Sequence, residues 1–528
     1  MIPRFTWRIW LIGSLGVGIV VALLDPVGLS FQSASAFVLI SAFGFGLVLL
    51  AWRWLKPEPG NEIRSLIVVL AAAVLLRLAV SLILVYVLPA FGYSDEPVQQ
   101  AGYVFYDAYA RDQDAWQLAR SEQPLWRALA GFGESDQYGG LLFLSASIYR
   151  FLSPSVHHPL LVAILSGFIG SLAVLFTWKA ARLNLGAKPA LFAAWVVALY
   201  PDAVMLSSSQ MREAYLISGF AAAIMGYMWV REGEARKSAA AFLAAVVLLS
   251  ISPPFLVLTL AIIGLAWVWE GRKHSRQTGW LLIIFTVLVL VAFVITVLAW
   301  SEAGIVKSTG LASVRKWLER TAEYQILKLE RGSGWVQKMF DRTPEWTHIP
   351  MATVYGLIQP FFPGGLMSEG ALVWRILVTW RGLGWMILIT FLVYAPIAAL
   401  KTEGVRSLNS YLVVIFWLTA LLVSFRAAGD LWDNPRYRTV LLAAQAIIAA
   451  WSWAHARQLQ SPWLLRTGLL VGFINIMFII WYAGRGQLIS RLYFDEILRI
   501  IAVFTVLFLP GSWLWDWLRK RKQHRLTK

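Results

Sequence analysis

The stretch YVFYDAYARDQD, residues 103 to 114, gathers Asp107, Asp112 and Asp114 around Arg111 in a chain of 528 residues that is 59% hydrophobic and only 14% charged. A carboxylate beside a membrane can take the proton of an attacking hydroxyl, and apolar surroundings tune its basicity for that task. On a helix, Asp107 and Asp114 lie seven positions apart and share nearly one face, whereas Asp112 is turned away from both. The three acids need not act as one cluster, and solvated loop carboxylates fit the same local pattern. The six histidines are scattered apart from the adjacent pair His157 and His158, which lacks the spacing of a helical metal pair, so no metal-ligating residue is named. Without cysteine there are no disulfides, thiolate metal sites or thiol nucleophiles. P-loop, dinucleotide-binding, zinc-protease and serine-hydrolase signatures are missing from any suitable setting, which removes the usual marks of those chemistries.

The elements that must position these acids are membrane helices. Apolar runs near the ~20 residues needed to cross a bilayer recur along the chain and are continuous rather than alternating, which selects helices over a barrel. The formal charge of +17 falls in short basic stretches beside those runs, such as REGEARK, EGRKHSR and the terminal RKRKQHRLTK. That is the positive-inside pattern, and no basic face accompanies a nucleic-acid recognition module. Ala34-Ser35-Ala36 imitates a signal-peptide cleavage site, but the second apolar run from Phe37 to Leu55 favours an uncleaved first helix.

Following parity from Arg4 and Arg8 in the cytoplasm gives an all-α polytopic protein with about fourteen crossings. Residues 1–64 form an N-terminal hairpin, 65–400 a core, and 401–528 the last helices and a basic cytoplasmic tail. Three external segments stand out, 89–154, 201–213 and 301–370. Residues 89 to 137 hold eight acids against three arginines, which suits the outer face. Gly140 to Leu152 is too short to span and is followed by Pro154, so it reads as a helix lying at the outer interface. Residues 238 to 269 read as two helices hinged at Pro253 and Pro254, and LASVRKWLERTAEYQILKLE reads as an amphipathic surface helix.

In order along residues 65 to 235 come RDQDAWQLARS, DQYGGLLFLSASIYRFLSP, the basic turn KAARLNLGAKPA and ALYPDAVMLSSSQMREAYLI, with weaker traces later at YGLIQPFFPGG and DNPRYR. This succession resembles the membrane glycosyltransferases of the C superfamily (GT-C), and within it the bacterial relatives of protein O-mannosyltransferases and of the lipid A aminoarabinose transferase. The resemblance implies a GT-C-like core with external juxtamembrane helices in a bacterial plasma membrane, its active site facing outward. It also implies a polyprenyl-phosphate-linked sugar as donor and a hydroxyl-bearing lipid, glycan or protein as acceptor, with inversion at the anomeric carbon. No cofactor is expected, although an external divalent ion held by Asp or Glu is not excluded. Two apolar segments precede the family's usual first helix.

The family's essential acid begins a pattern that Asp112, Trp116 and Ala119 fit best, so Asp112 is the first choice for the base and Asp107 the second. Asp95 and Glu96 resemble an acidic pair in some relatives, and Asp202 resembles an acid of their second external loop. The departing lipid phosphate would be held by guanidinium groups, for which Arg212, Arg436 and Arg438 stand on the expected outer face. Glu213 joins the substrate-binding set, and Trp116 could stack on a sugar. Plainer roles fit too: an interfacial ion pair for Arg212 and Glu213, and interfacial anchoring for Arg436 and Arg438. The principal rival is a transporter or flippase for a lipid-linked glycan, for which Arg77 inside an apolar run is the clearest sign, and a second rival is a glycan polymerase or ligase.

Overall fold

A computed structural model describes residues 7–57, 61–131, 135–271, 287, 341–367, 370–402, 406–426 and 435–526. Every regular element among them is helical. The first part of the chain comprises α1 (Trp7–Leu23), α2 (Phe31–Leu55), α3 (Asn61–Phe91), α4 (Pro97–Gln100), α5 (Tyr106–Arg120), a 3-10 turn (Leu125–Ala130), α6 (Gly140–Leu152), α7 (Leu160–Leu185), α8 (Ala187–Leu199), α9 (Pro201–Ser208), α10 (Glu213–Arg231), α11 (Ala235–Leu249) and α12 (Pro253–Glu270). After residue 341 follow α13 (His348–Ile358), α14 (Phe362–Met367), α15 (Leu372–Thr402), α16 (Leu408–Arg426), α17 (Arg436–Thr439), α18 (Leu442–Gln458), α19 (Trp463–Arg485) and α20 (Phe494–Leu526).

Nine of the described helices are long and apolar enough to cross a bilayer, or ten if α8 and α9 form one bent span. The chain is an integral membrane protein. The difference from fourteen expected crossings has a physical basis in length. At 17, 15 and 17 residues, α1, α11 and α18 fall short of the ~20 that cover a bilayer without tilt or thinning, and the crossing expected at 279–300 lies almost wholly outside the described residues. The amphipathic segment expected within 301–340 lies outside them as well.

Burial orders the bundle. The apolar stretches of α7 and α10 are buried throughout, whereas those of α19 and α20 are 11% and 6% buried and form a lipid-facing rim. Small residues let the central helices approach closely, since lipid offers no hydrophobic gain for their association. A Cβ at Gly44 of α2 would meet the Phe168 ring of α7 at 2.2 Å, and one at Gly219 of α10 would meet Leu249 of α11 at 2.6 Å.

The break between α8 and α9 follows from one residue. Pro201 has no N–H to return to the Val197 carbonyl, so the helix ends and the chain bends by 51°. Fully buried Arg77 of α3 takes over that duty, donating through Nη2 to Val197 O and through Nη1 to Ala198 O, both at 3.1 Å. The charge thus sits on the negative end of α8, a reason for a cation inside the membrane that involves no transport path.

The two ends of the bundle differ. At one, Glu62 pairs with Arg182 (3.2 Å) and Arg231 with Glu270 (3.3 Å). At the other, the segments after α3, before α7, between α9 and α10 and around α17 come together, and there the acids of the opening stretch are found.

Candidate active site

Residues 106–120 form a helix because nothing in YDAYARDQDAWQLAR interrupts it and alanine recurs along its inner face, where Ala108 and Ala115 are buried. Both of its ends are fixed from outside. Arg150 of α6 closes the C-terminus by donating to the carbonyls of Ala119 (3.1 Å), Ser121 and Gln123 (both 2.9 Å), and to that of Leu118. At the N-terminus Asp107 accepts a 2.8 Å bond from Nη2 of Arg436, a residue 329 positions away.

Helical geometry then sends the three aspartates to different surroundings. Asp107 remains 39% exposed. Asp114 accepts a hydrogen bond from Ser135. Asp112 points inward and is 1% exposed. Tyr103 OH donates to its Oδ2 at 2.5 Å, Tyr149 OH donates to Oδ1, and His157 Nε2 lies at an ion-pair distance of 2.8 Å from Oδ2. Burial first, and then the charge of Asp112, pushes both phenols well above their ordinary pKa, so they remain protonated donors.

Around Asp107 lies a balanced set of three guanidinium groups and three carboxylates. Arg436 Nε is 3.9 Å from Glu213, and its plane rests 5.1 Å from the Tyr437 ring centre. Arg111 is 3.6 Å from Asp136 and donates to Gln210 O at 3.1 Å. Burial draws the Arg111 guanidinium below its ordinary range while Asp136 pulls it back up. Asp136 in turn accepts from the backbone N–H groups of Leu142 (3.1 Å) and Tyr138 (3.3 Å), which fixes the loop before α6. Arg212 stands just ahead of α10, at the helix's positive end, 4.0 Å from Asp136 and 5.4 Å from the Tyr138 ring centre, with its side chain 20% exposed. Of the arginines in this set it is the most loosely held.

The other residues singled out from the sequence are placed as follows. Arg438 is 2% exposed and closes the C-terminus of α13, donating to Leu357 O (3.0 Å), Gly356 O (3.4 Å) and Gln359 O while lying on the Trp385 ring. Asp202 is buried in an ion pair with Arg381 of α15 and accepts from Tyr200 OH at 3.3 Å. Trp116 has a face covered by the His157 ring, stacked at 4.9 Å and 13°. Asp95 and Glu96 are exposed at the start of α4, without an ion pair to the cluster among the described residues. No group of three or more His, Asp or Glu that could hold a metal ion occurs among the described residues.

An apolar groove of about 850 Å³ lies between α13, α14, α15, α19 and α20. Val354, Ile358, Phe478, Trp481, Leu498 and Pro435 line it, and Arg381 and Gln359 are among its polar lining residues. Pro435 directly precedes Arg436. Sequence reasoning missed Tyr103, Tyr149, His157, Asp136 and Arg381. Only Arg381 carried a signal, as a charge at the start of an apolar run; the others acquire their roles from contacts between separate segments, nine positions apart for Tyr103 and Asp112 and 37 for Tyr149 and Asp112.

No protein-family model and no curated protein matches the chain. Among solved structures, the archaeal oligosaccharyltransferase AglB from Archaeoglobus fulgidus, in complex with an inhibitory peptide and a dolichol-phosphate, overlaps 86% of this chain and 55% of that one at 12% identity and a TM-score of 0.33. An Archaeoglobus fulgidus oligosaccharyltransferase in complex with Zn and sulfate overlaps 79% and 52% at 15% identity and a TM-score of 0.40. The chain spans about half the length of these two structures.

Proposed function

We propose that the chain is a membrane glycosyltransferase that moves a sugar from a polyprenyl-phosphate carrier to a hydroxyl acceptor on the extracytoplasmic face. The observation that carries the proposal is the apolar groove whose lining includes Arg381 and Pro435, next in sequence to the arginine that holds Asp107. A groove of this size and lining suits an isoprenoid tail, and in this reading the phosphate lies past Pro435, at Arg436, with Arg212 as the second guanidinium. The order of motifs shared with the C superfamily supports the same reading.

In this reaction the acceptor oxygen attacks the anomeric carbon. The bond from that carbon to the phosphate oxygen breaks, and the electron pair leaves with the polyprenyl phosphate. Asp107 takes the acceptor's proton. It is favoured over Asp112 because it is open to solvent, whereas Asp112 has both oxygens engaged by buried partners. Arg436 has two tasks. It holds Asp107 before the donor arrives, then turns toward the phosphate, which frees the carboxylate and stabilises the leaving anion. Arg212 supplies the second guanidinium. Arg438 is left out of this set, because its Nη1 and Nη2 donate to the end of α13.

Purified protein in lipid nanodiscs, supplied with polyprenyl-phosphate sugars labelled in the sugar, is expected to release polyprenyl phosphate and label a hydroxyl acceptor, and Arg436→Ala is expected to abolish both. If no sugar donor releases polyprenyl phosphate while labelled lipid crosses liposome bilayers, a flippase replaces the transferase. Arg77 no longer favours that rival, because it serves α8.

A further inference from the structure

We infer that the N-terminal hairpin α1–α2 positions the catalytic helix α5 through two consecutive histidines, each of which holds one carboxylate. The inference rests on the reading of Asp107 as the base, but its structural half can be tested without it.

The hairpin turn reaches the loop before α7 at three points. Asp25 pairs with Nδ1 of His158, with the two side chains 1% and 3% exposed. Ser155 Oγ donates to Gln32 Oε1 at 2.8 Å. The His158 ring stands edge-on to Phe37 of α2 at 5.8 Å. The turn itself is fixed, because Ser30 and Ser33 close the start of α2 with reciprocal bonds of 2.9 and 2.7 Å, and Tyr86 OH of α3 donates to Leu24 O at 2.5 Å.

The next residue back, His157, grips α5. Its Nε2 lies 2.8 Å from Asp112, and its ring stacks on Trp116 and meets the edge of Tyr149 at 5.0 Å. Asp112 and Trp116 are four positions apart, so the loop holds one face of α5 across a full turn. Asp107 is carried on the same helix about 7.5 Å along its axis, and any shift of Asp112 is passed to it. A cavity of about 140 Å³ separates much of the hairpin turn from the site wall, with Asp25, Tyr103 and Gln210 among its lining. The polar links from the hairpin turn toward α5 run through the two histidines and their carboxylates.

Loops of this length usually tolerate substitution, and a buried carboxylate on a peripheral hairpin is costly unless it is paired. Holding the loop that holds α5 accounts for both the carboxylate and its depth. Asp25 and His158 are then positioning residues, acting on the reaction only through α5.

The test uses the full-length protein and the variants Asp25→Asn, His158→Gln and Asp25→Glu. Hydrogen exchange followed by mass spectrometry is expected to show protection of peptides covering 106–120 falling about tenfold in Asp25→Asn and His158→Gln, with peptides of α11 and α12 unchanged. Asp25→Glu is expected to restore most of that protection. Turnover is expected to fall about tenfold in the first two variants with the donor KM within about twofold, since an interaction felt only at the reacting centre is lost. If increased exchange is confined to 24–40 while α5 keeps its protection, the inference is overturned, and it is equally overturned if thermal stability drops while kcat per folded molecule stays at the wild-type value. Should either variant fail to fold, Gln32→Ala removes only the Ser155 contact and is expected to give a smaller rise in exchange over the same two segments, with no rise at α5 counting against the inference. A wild-type protein that transfers no sugar would remove the proposed function, and the exchange pattern would still decide whether the hairpin holds α5.

Discussion

Replacing Asp107 by Asn keeps the shape of the side chain and removes its ability to take a proton. General-base catalysis contributes about 100- to 10,000-fold, or about 2.7 to 5.4 kcal/mol of barrier, so kcat is expected to fall by that factor. Folding should hardly notice. In its pair with Arg436 the aspartate is 39% exposed and the arginine 8%, and asparagine keeps a carbonyl acceptor for that guanidinium, so the expected loss is about 1 kcal/mol. Asp112→Asn provides the contrast. The amide offers one carbonyl where the carboxylate had two acceptors, so a buried donor among Tyr103, Tyr149 and His157 loses its partner at a cost of about 1 to 3 kcal/mol, and more if the ion pair to His157 is charged. The assay is transfer from saturating labelled polyprenyl-phosphate sugar, read beside thermal unfolding in the same detergent. The expected result is an inactive, stable Asp107→Asn and a destabilised Asp112→Asn. The reasoning is refuted if Asp107→Asn keeps more than half of the activity while Asp112→Asn is inactive at wild-type stability, which would return the base to Asp112.

Arg438→Ala strips the end of α13 of its donors and is expected to lower stability by about 3 kcal/mol, with the donor KM of the remaining folded protein unchanged in a titration. Val354→Trp narrows the apolar groove and is expected to raise the donor KM about tenfold with kcat retained, the mark of lost ground-state binding. Because the chain has no cysteine, single cysteines report sidedness cleanly: Trp126→Cys is expected to react with a membrane-impermeant maleimide from outside intact cells, and Lys237→Cys only after lysis. The raised phenols give an alkaline prediction with a definite sign. A group that is protonated in the fold and has a raised pKa contributes stability in full below its unfolded value, about 10, and loses it as pH climbs toward the folded value. Tyr103→Phe and Tyr149→Phe should therefore leave the tyrosinate absorbance of the folded protein between about pH 9 and 11 unchanged while reducing the loss of stability over that interval.

The sequence by itself determined the helices and their punctuation. A bilayer supplies no hydrogen bonds, so each spanning segment must satisfy its backbone locally, and a local requirement leaves a local signature. A helix is found from Gly140 to Leu152 as expected, and the hinge at Pro253 begins α12, whereas the break at Pro201 was not read from the sequence. The acidic stretch read only as an external loop, and its being a helix, which turns Asp112 away from Asp107, came from the structure.

Only the tertiary structure decided what each charge touches. Arg436 and Arg438 are two residues apart and alike in type, yet one holds Asp107 and the other closes α13, because their partners come from elements distant in sequence. Asp112 matches the family's spacing and Asp107 does so less well, but Tyr149 and His157 cover the first and solvent reaches the second. Arg77 stood out only as the clearest charge inside an apolar run, and packing brought the end carbonyls of α8 against it. The strength and role of a charge depend on its solvent and its neighbours, and these are fixed by packing between segments rather than by the run of residues around it.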